Sequence, residues 1–190
     1  IQSAVPDGMV VRIFMGIHHD GYNDHSQSFI DDSLRWDALD GLDLHGTETV
    51  PLEPWTAGLW ERARGSGKHT KAHAGEFAGP EFVRRVVEEL GVSRIQHGVR
   101  SIESPQLVRQ LRKMGAVLDV CPISNVKLGV VDRMAAHPIR ELFDAGVICT
   151  VNTDDPISFG NSLTEEYTAL SQALSFSFSE LGELAANGFR

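Results

Sequence analysis

The sequence predicts an α/β fold: a parallel (β/α)8 TIM barrel of which this chain carries the last six β/α units. Three observations carry that expectation. Six short runs rich in Val, Ile and Leu recur along the chain. Segments of helical periodicity separate them. Several runs end on side chains that do chemistry, at His73-Ala74-Gly75-Glu76, His97-Gly98 and Asn152-Thr153-Asp154-Asp155-Pro156. A parallel sheet gathers the carboxyl ends of its strands on one side, so these endings meet in a single pocket.

Taken in order, the expected strands are residues 10–17, 41–44, 69–73, 94–97, 116–121 and 147–152. They are read as the short apolar runs expected of strands buried on both faces, a pattern plainest in 41–44, 116–121 and 147–152. The helices between them are marked by their apolar faces. Val83, Val86, Val87 and Leu90 follow the i, i+3, i+4, i+7 rule, and Leu107, Leu111 and Met114 mark one face of the next helix. Pro54, Pro80, Pro105 and Pro138 suit first helical positions, and Ser104 suits the N-cap before Pro105. Gly91, Gly115 and Gly146 then stop their helices. Strand after helix after strand, with no internal repeat, implies right-handed βαβ units. A closed barrel of this kind has eight strands and runs to about 250 residues, so residues 1–190 are expected to form one partial barrel domain without its first two strands. The competing arrangement is a complete open sheet of six strands.

Composition narrows the class. A chain of 190 residues with 42% apolar content supports one sizeable core and reads as a single soluble globular domain. Cys121 and Cys149 lie in strand-like runs and are expected to be small buried residues, not a disulfide. A formal charge of −9 argues against a nucleic-acid or anionic membrane partner, either of which needs a basic face, and is compatible with a neutral small molecule. No stretch approaches transmembrane length, and the first residues lack the basic-then-apolar order of a signal peptide, so a cytoplasmic location is expected.

The strand endings suggest metal-assisted hydrolysis. His73 and Asp154 are suitable zinc ligands, because a catalytic zinc takes imidazole and carboxylate groups and leaves a position for water. Water activated in this way is a nucleophile near neutral pH. Attack on an amine-bearing ring carbon also needs an acid for the ring nitrogen and a group to take the proton of the water. Glu76, three residues beyond His73 and outside the strand, is placed for the first task, and His97 for the second. Asp154 and Asp155 repel as neighbours, so one binding metal leaves the other to meet a ring nitrogen; Asn-Thr-Asp-Asp-Pro is equally good turn and helix-cap chemistry. Asp43-Leu44-His45-Gly46-Thr47-Glu48 ends an earlier strand, and Gly46 there permits close backbone approach to a flat ligand, with Asp43 and His45 as supporting groups.

In these motifs the chain resembles the adenosine and adenine deaminase family of zinc-dependent purine aminohydrolases, a metal-dependent hydrolase branch of the barrel. His73-Ala74-Gly75-Glu76, His97-Gly98, Cys121-Pro122-Ile123-Ser124-Asn125 and Asn152-Thr153-Asp154-Asp155-Pro156 stand in the order of that family, over residues 10–190. The resemblance implies Zn2+ as cofactor, with His73 and Asp154 as metal ligands. It implies Glu76 as the acid that protonates purine N1, and His97 as the group that orients or deprotonates the water. Asp155 then contacts N7, the backbone of Gly46 donates to N3, and the attacked atom is C6. The implied reaction is adenosine to inosine plus ammonia. Adenine to hypoxanthine, or deamination of another adenosine-like compound, is the alternative, and an inactive member serving as a binding module is the non-enzyme alternative.

Two departures limit the resemblance. The family's first strand carries a His-x-His pair that completes the zinc site, and nothing before His73 replaces it. His18 and His19 are adjacent, so on a strand they point to opposite faces, and a structural or pocket-lining role is expected for them. Gln96 stands where family members carry Gly or Asp, and alternation is expected to point it away from the pocket if His97 points in. Cys121 precedes Pro122 and has no second Cys nearby, which excludes the Pro-Cys-x-x-Cys deaminases that act on cytidine or nucleic acid. Overall likeness leans towards the nucleoside, so a higher kcat/KM for adenosine than for adenine is expected.

Overall fold

The protein is described here by a computed structural model covering residues 9–189; Ile1 and Arg190, the limits of the expected domain, lie outside the described residues. Six strands form one sheet: β1 Phe14–His18, β2 Gly41–His45, β3 His69–Ala74, β4 Arg94–His97, β5 Val117–Val120 and β6 Ile148–Val151. Every neighbouring pair is parallel and the spatial order is the chain order. That order decides between the two expected arrangements. A doubly wound open sheet reverses its strand order at a switch point, whereas a barrel adds each strand on the same side of the last. These are consecutive units of a (β/α)8 barrel, and among the described residues β1 and β6 each pair on one side only.

The helices follow the expected scheme. They are α1 Gln27–Ser33, α2 Trp55–Gly65, α3 Pro80–Leu90, α4 Pro105–Met114, α5 Pro122–Lys127, α6 Ile139–Asp144, α7 Pro156–Phe159, α8 Leu163–Leu174 and α9 Phe178–Asn187. The Ser104 side chain caps α4 by accepting from Leu107 N, and Gly91 and Gly115 close α3 and α4 in left-handed conformations, with φ of +64° and +67°. Pro54 and Pro138 sit one residue earlier than expected, at the N-cap of α2 and α6, where their φ of −57° and −71° already suits a helix. The first strand also starts later, at Phe14. Val10 and Val11 are 82% and 38% exposed, having no neighbouring strand among the described residues to bury them.

The two faces of the sheet have opposite chemistry. Leu42, Leu44, Ala72, Ile95, Leu118 and Cys149 are fully buried in one continuous core with Leu59, Trp60, Val83, Val86, Leu107, Leu111, Ile139 and Leu142 from the helices. Both cysteines are buried and free, as expected, and burial pushes the Cys149 thiol up to about 12. The alternate positions turn inward and are polar. Arg94 holds Asp119 through two hydrogen bonds of 2.7 Å, Thr150 Oγ1 donates to the same carboxylate at 2.7 Å, and Lys71 lies 3.7 Å from Asp43.

Gln96 belongs to this inner row, which corrects the expectation that it points away. Its Cα pairs with that of His73, and its amide spans Lys71 and Asp119, with the nitrogen 3.3 Å from Asp119 Oδ2. His97 pairs with Ala74, on the opposite face by register, yet it too reaches the pocket. The reason is its backbone, which leaves the strand conformation at φ +63°. Alternation holds only while the strand geometry does.

Asp119 is only 3% exposed and is the acceptor shared by Arg94 and Thr150. Asp119→Ala is therefore expected to destabilise the fold by about 3 kcal/mol, towards the low end for a buried pair because Arg94 keeps some contact with solvent. The urea unfolding midpoint measures this, and a shift indistinguishable from zero contradicts it.

Candidate active site

The strand ends converge as the parallel order requires. His73, the second-last residue of β3, faces inward, and its Nδ1 lies 3.2 Å from Asp43 Oδ1 on β2. A carboxylate on Nδ1 fixes the ring and leaves Nε2 as the donor atom for a ligand, the usual arrangement of a metal-binding histidine. Burial alone would lower the His73 pKa, but the hydrogen bond and charge of Asp43, with Asp154 and Glu76 beyond, raise it. His45 stands beside it. The rings of His18, His45, His73 and His97, each near the carboxyl end of its strand, follow one another at 5.8, 6.1 and 5.3 Å between centroids.

Glu76 is presented by a tight turn after β3 that depends on Gly75. Gly75 has φ +74°, and a Cβ on it would come within 2.5 Å of Val83 Cγ2. The turn is held from outside by the buried carboxylate of Glu48, which accepts the backbone N–H groups of Gly75 and Glu76 at 3.0 Å each and of Ala78 at 2.7 Å. The Glu76 side chain is itself buried. Its Oε1 accepts from Asn125 Nδ2 at 3.1 Å, and its Oε2 lies 3.5 Å from His97 Nε2. Burial, together with the charges of Asp154 and Glu48, pushes its pKa up to about 7. A carboxyl in that range carries a proton to donate near neutral pH.

His97 is 2% exposed, and its Nδ1 is 3.3 Å from Asn125 Nδ2. Burial and the neighbouring His73 push its pKa down, so the ring is neutral. Asp154 follows β6 in a left-handed conformation, φ +59°, and accepts a 2.6 Å hydrogen bond from Ser124 Oγ. Donor atoms of His97, Cys121 and Asp154 all lie within 4.8 Å of one another, a spacing that a single metal ion can span.

The sequence-predicted residues thus divide into two groups. His73, Glu76, His97 and Asp154 come together. Asp155 and Gly46 sit further out on the rim. The exposed Asp155 carboxylate caps α7, accepting the N–H groups of Ile157 and Ser158 at 3.2 Å, which is the cap chemistry its sequence also suggested. Gly46 follows β2 with φ +107°, and a Cβ there would come within 2.4 Å of the His18 ring. His18 therefore lines the rim beside Gly46. His19, on the opposite face, is 1% exposed and packs on Phe82 at 5.7 Å.

Sequence reasoning missed Glu48, Ser124, Asn125, His137 and Glu166. Ser124 and Asn125 stand in a quoted motif, on a short helix started by Pro122, and that position was the available signal. Glu166 on α8 is fully buried and accepts from Ile123 N at 3.0 Å, which holds the start of α5 in place. Glu166 and His137 carry no local signal, since only folding brings them to α5.

The fold is shared with known proteins. A curated adenine deaminase of Streptomyces coelicolor is 40% identical over 153 residues, which is 80% of this chain and 45% of that protein. The crystal structure of adenine deaminase from Arthrobacter aurescens matches with a TM-score of 0.85 and 32% identity, over 93% of this chain and 54% of that one. An amidohydrolase from Burkholderia ambifaria with bound Zn matches with a TM-score of 0.83 and 25% identity, over 95% of this chain and 51% of that one. The chain spans about half the length of these relatives. The model of the adenosine deaminase family matches residues 8–190, nearly the whole sequence, and the chain belongs to that family.

Proposed function

We propose that this chain supplies the last six units of the barrel of a hydrolytic deaminase that acts on a 6-aminopurine, with zinc as its cofactor. The observation that carries the reading is Glu76: a buried carboxyl with its pKa raised to about 7, aimed at the centre where His73, His97 and Asp154 meet. Displacing an exocyclic amine by water needs an acid at the adjacent ring nitrogen. In this reading Glu76 gives its proton to N1 as water adds at C6, the proton shed by the water restores the Glu76 acid, and the proton of the new C6 hydroxyl passes to the departing amine as the C6–N bond breaks with ammonia as the leaving group. His97 orients the water. Gly46 offers its N–H to N3, and Asp155, whose two oxygens accept from Ile157 N, Ser158 N and Ser158 Oγ, turns from that cap to meet N7 when the purine binds.

His73 Nε2 and a carboxylate oxygen of Asp154 would hold the zinc, and the Asp43 contact to His73 is the support such a ligand needs. When bound, zinc supplies acidified water as a nucleophile near neutral pH. The relative with bound Zn supports that choice of metal. A catalytic zinc normally takes three protein ligands or more, so the remaining ones are assigned to the two barrel units that would join the free edges of β1 and β6. Among the described residues no helix is long and apolar enough to cross a membrane, and the proposed partner is a small purine.

Adenine is the substrate we favour. The lean towards adenosine rested on general likeness, whereas the Streptomyces and Arthrobacter relatives, 40% and 32% identical, are both named adenine deaminases.

With the whole barrel in place, the protein is expected to bind one zinc and release ammonia from an aminopurine, while the 190-residue chain alone does neither. Metal analysis beside an ammonia assay checks this, and full activity of the 190-residue chain alone contradicts it. In the whole protein, Asp154→Ala should lose zinc and activity together. Glu76→Gln should keep zinc while kcat falls about a hundredfold or more, the range typical of a general acid; an active Glu76→Gln enzyme removes Glu76 from the mechanism. Side-by-side kinetics should give a higher kcat/KM for adenine than for adenosine, and the reverse order assigns the nucleoside.

A further inference from the structure

Behind His97 runs a chain of hydrogen bonds that the proposed reaction does not use, and its direction can be read from one end to the other. It starts at Ile139 N, the first residue of α6, whose N–H has no partner within its own helix. That N–H donates to His137 Nδ1 at 3.1 Å. A backbone N–H can only donate, so Nδ1 of His137 holds a lone pair. The ring is 2% exposed, and burial pushes its pKa down to about 4, so near neutral pH it is uncharged and its one proton sits on Nε2. His137 Nε2 then donates to Asn125 Oδ1 at 3.2 Å. This fixes which way the Asn125 amide points.

The Asn125 nitrogen faces the site, 3.1 Å from Glu76 Oε1 and 3.3 Å from His97 Nδ1. An amide nitrogen has two hydrogens and no lone pair to offer. Both neighbours must therefore accept, and His97 Nδ1 carries a lone pair. We propose that Asn125 and His137 are positioning residues that hold His97 as its Nε2–H tautomer. His97 then turns an N–H, not a lone pair, towards the reacting centre, and Nε2–H meets Glu76 Oε2 at 3.5 Å. The α6 backbone thus dictates a proton position at the other end of three side chains. This deepens the proposed deaminase reading, in which His97 now orients the water and does not deprotonate it.

The test is made on the whole-barrel protein labelled with 15N in its histidines, since ring nitrogens with and without a proton resonate far apart. Both His97 and His137 are expected as Nε2–H, and His97 found as Nδ1–H in the unaltered protein overturns the proposal. Asn125→Asp replaces the donor with an acceptor, so His97 should switch to Nδ1–H. Its kcat should fall about tenfold or more with KM little changed, the range for loss of a group that orients another. His137→Gln keeps a donor and an acceptor on one side chain and should preserve both the tautomer and kcat, whereas His137→Leu should lose both. A His97 tautomer unmoved by Asn125→Asp or by His137→Leu removes that residue from the chain. Correct tautomers without ammonia release from any aminopurine would instead defeat the proposed function and leave the positioning device standing.

Discussion

His97 leaves the strand conformation at its last residue, and the site depends on that departure. A regular β4 would aim His97 outward with Ala74, into the layer filled by helix side chains. The left-handed backbone at φ +63° turns it inward instead, and Asp154 does the same after β6 at φ +59°. Neither is glycine, and such conformations persist only where the surroundings over-determine them. Around His97 those surroundings are visible. Gly98 follows, also left-handed, with its N–H on Ala74 O at 2.9 Å, and a Cβ on it would come within 2.6 Å of Leu118. The next tie, Arg100 N to Gly75 O at 2.9 Å, joins the end of β4 to the turn that carries Glu76.

Two buried carboxylates then hold the segments that carry the site. Glu48 takes three backbone N–H groups of the turn at Glu76, and Glu166 takes Ile123 N at the start of α5. Each uses side-chain oxygens where a strand would have used a ladder. The irregular backbone is thereby satisfied without entering regular structure, as buried polar groups must be. The two systems meet at Asn125, which touches both Glu76 and His97. Glu76, His97 and Asp154, the last held by Ser124, are therefore set relative to one another by one short helix.

Much of this was legible in the sequence. The alternation of helix and strand, and with it the parallel order, follows from the spacing of the runs, although the structure lines one face of β3 and β4 with polar side chains in place of the expected apolar runs. The gathering of His73, Glu76, His97 and Asp154 follows as well, since parallel strands end on one side. Ser104, Gly91 and Gly115 announced their caps by residue type alone, a local matter of hydrogen bonding and φ.

The sequence by itself thus determined the class of fold, the rim on which the chemistry sits and the residue types that sit there, all of which depend on local periodicity and connection. Only the tertiary structure decided which way individual side chains point. Gln96 turned inward and His97 joined it because a single backbone angle broke the alternation, and no pattern of residue types encodes that angle. The partners of the site came from distant segments: Glu48 from the loop after β2, His137 from the turn before α6, Glu166 from α8. Each is one buried polar residue with no motif of its own, and its role exists only because folding removes water and leaves a specific N–H or lone pair to be met.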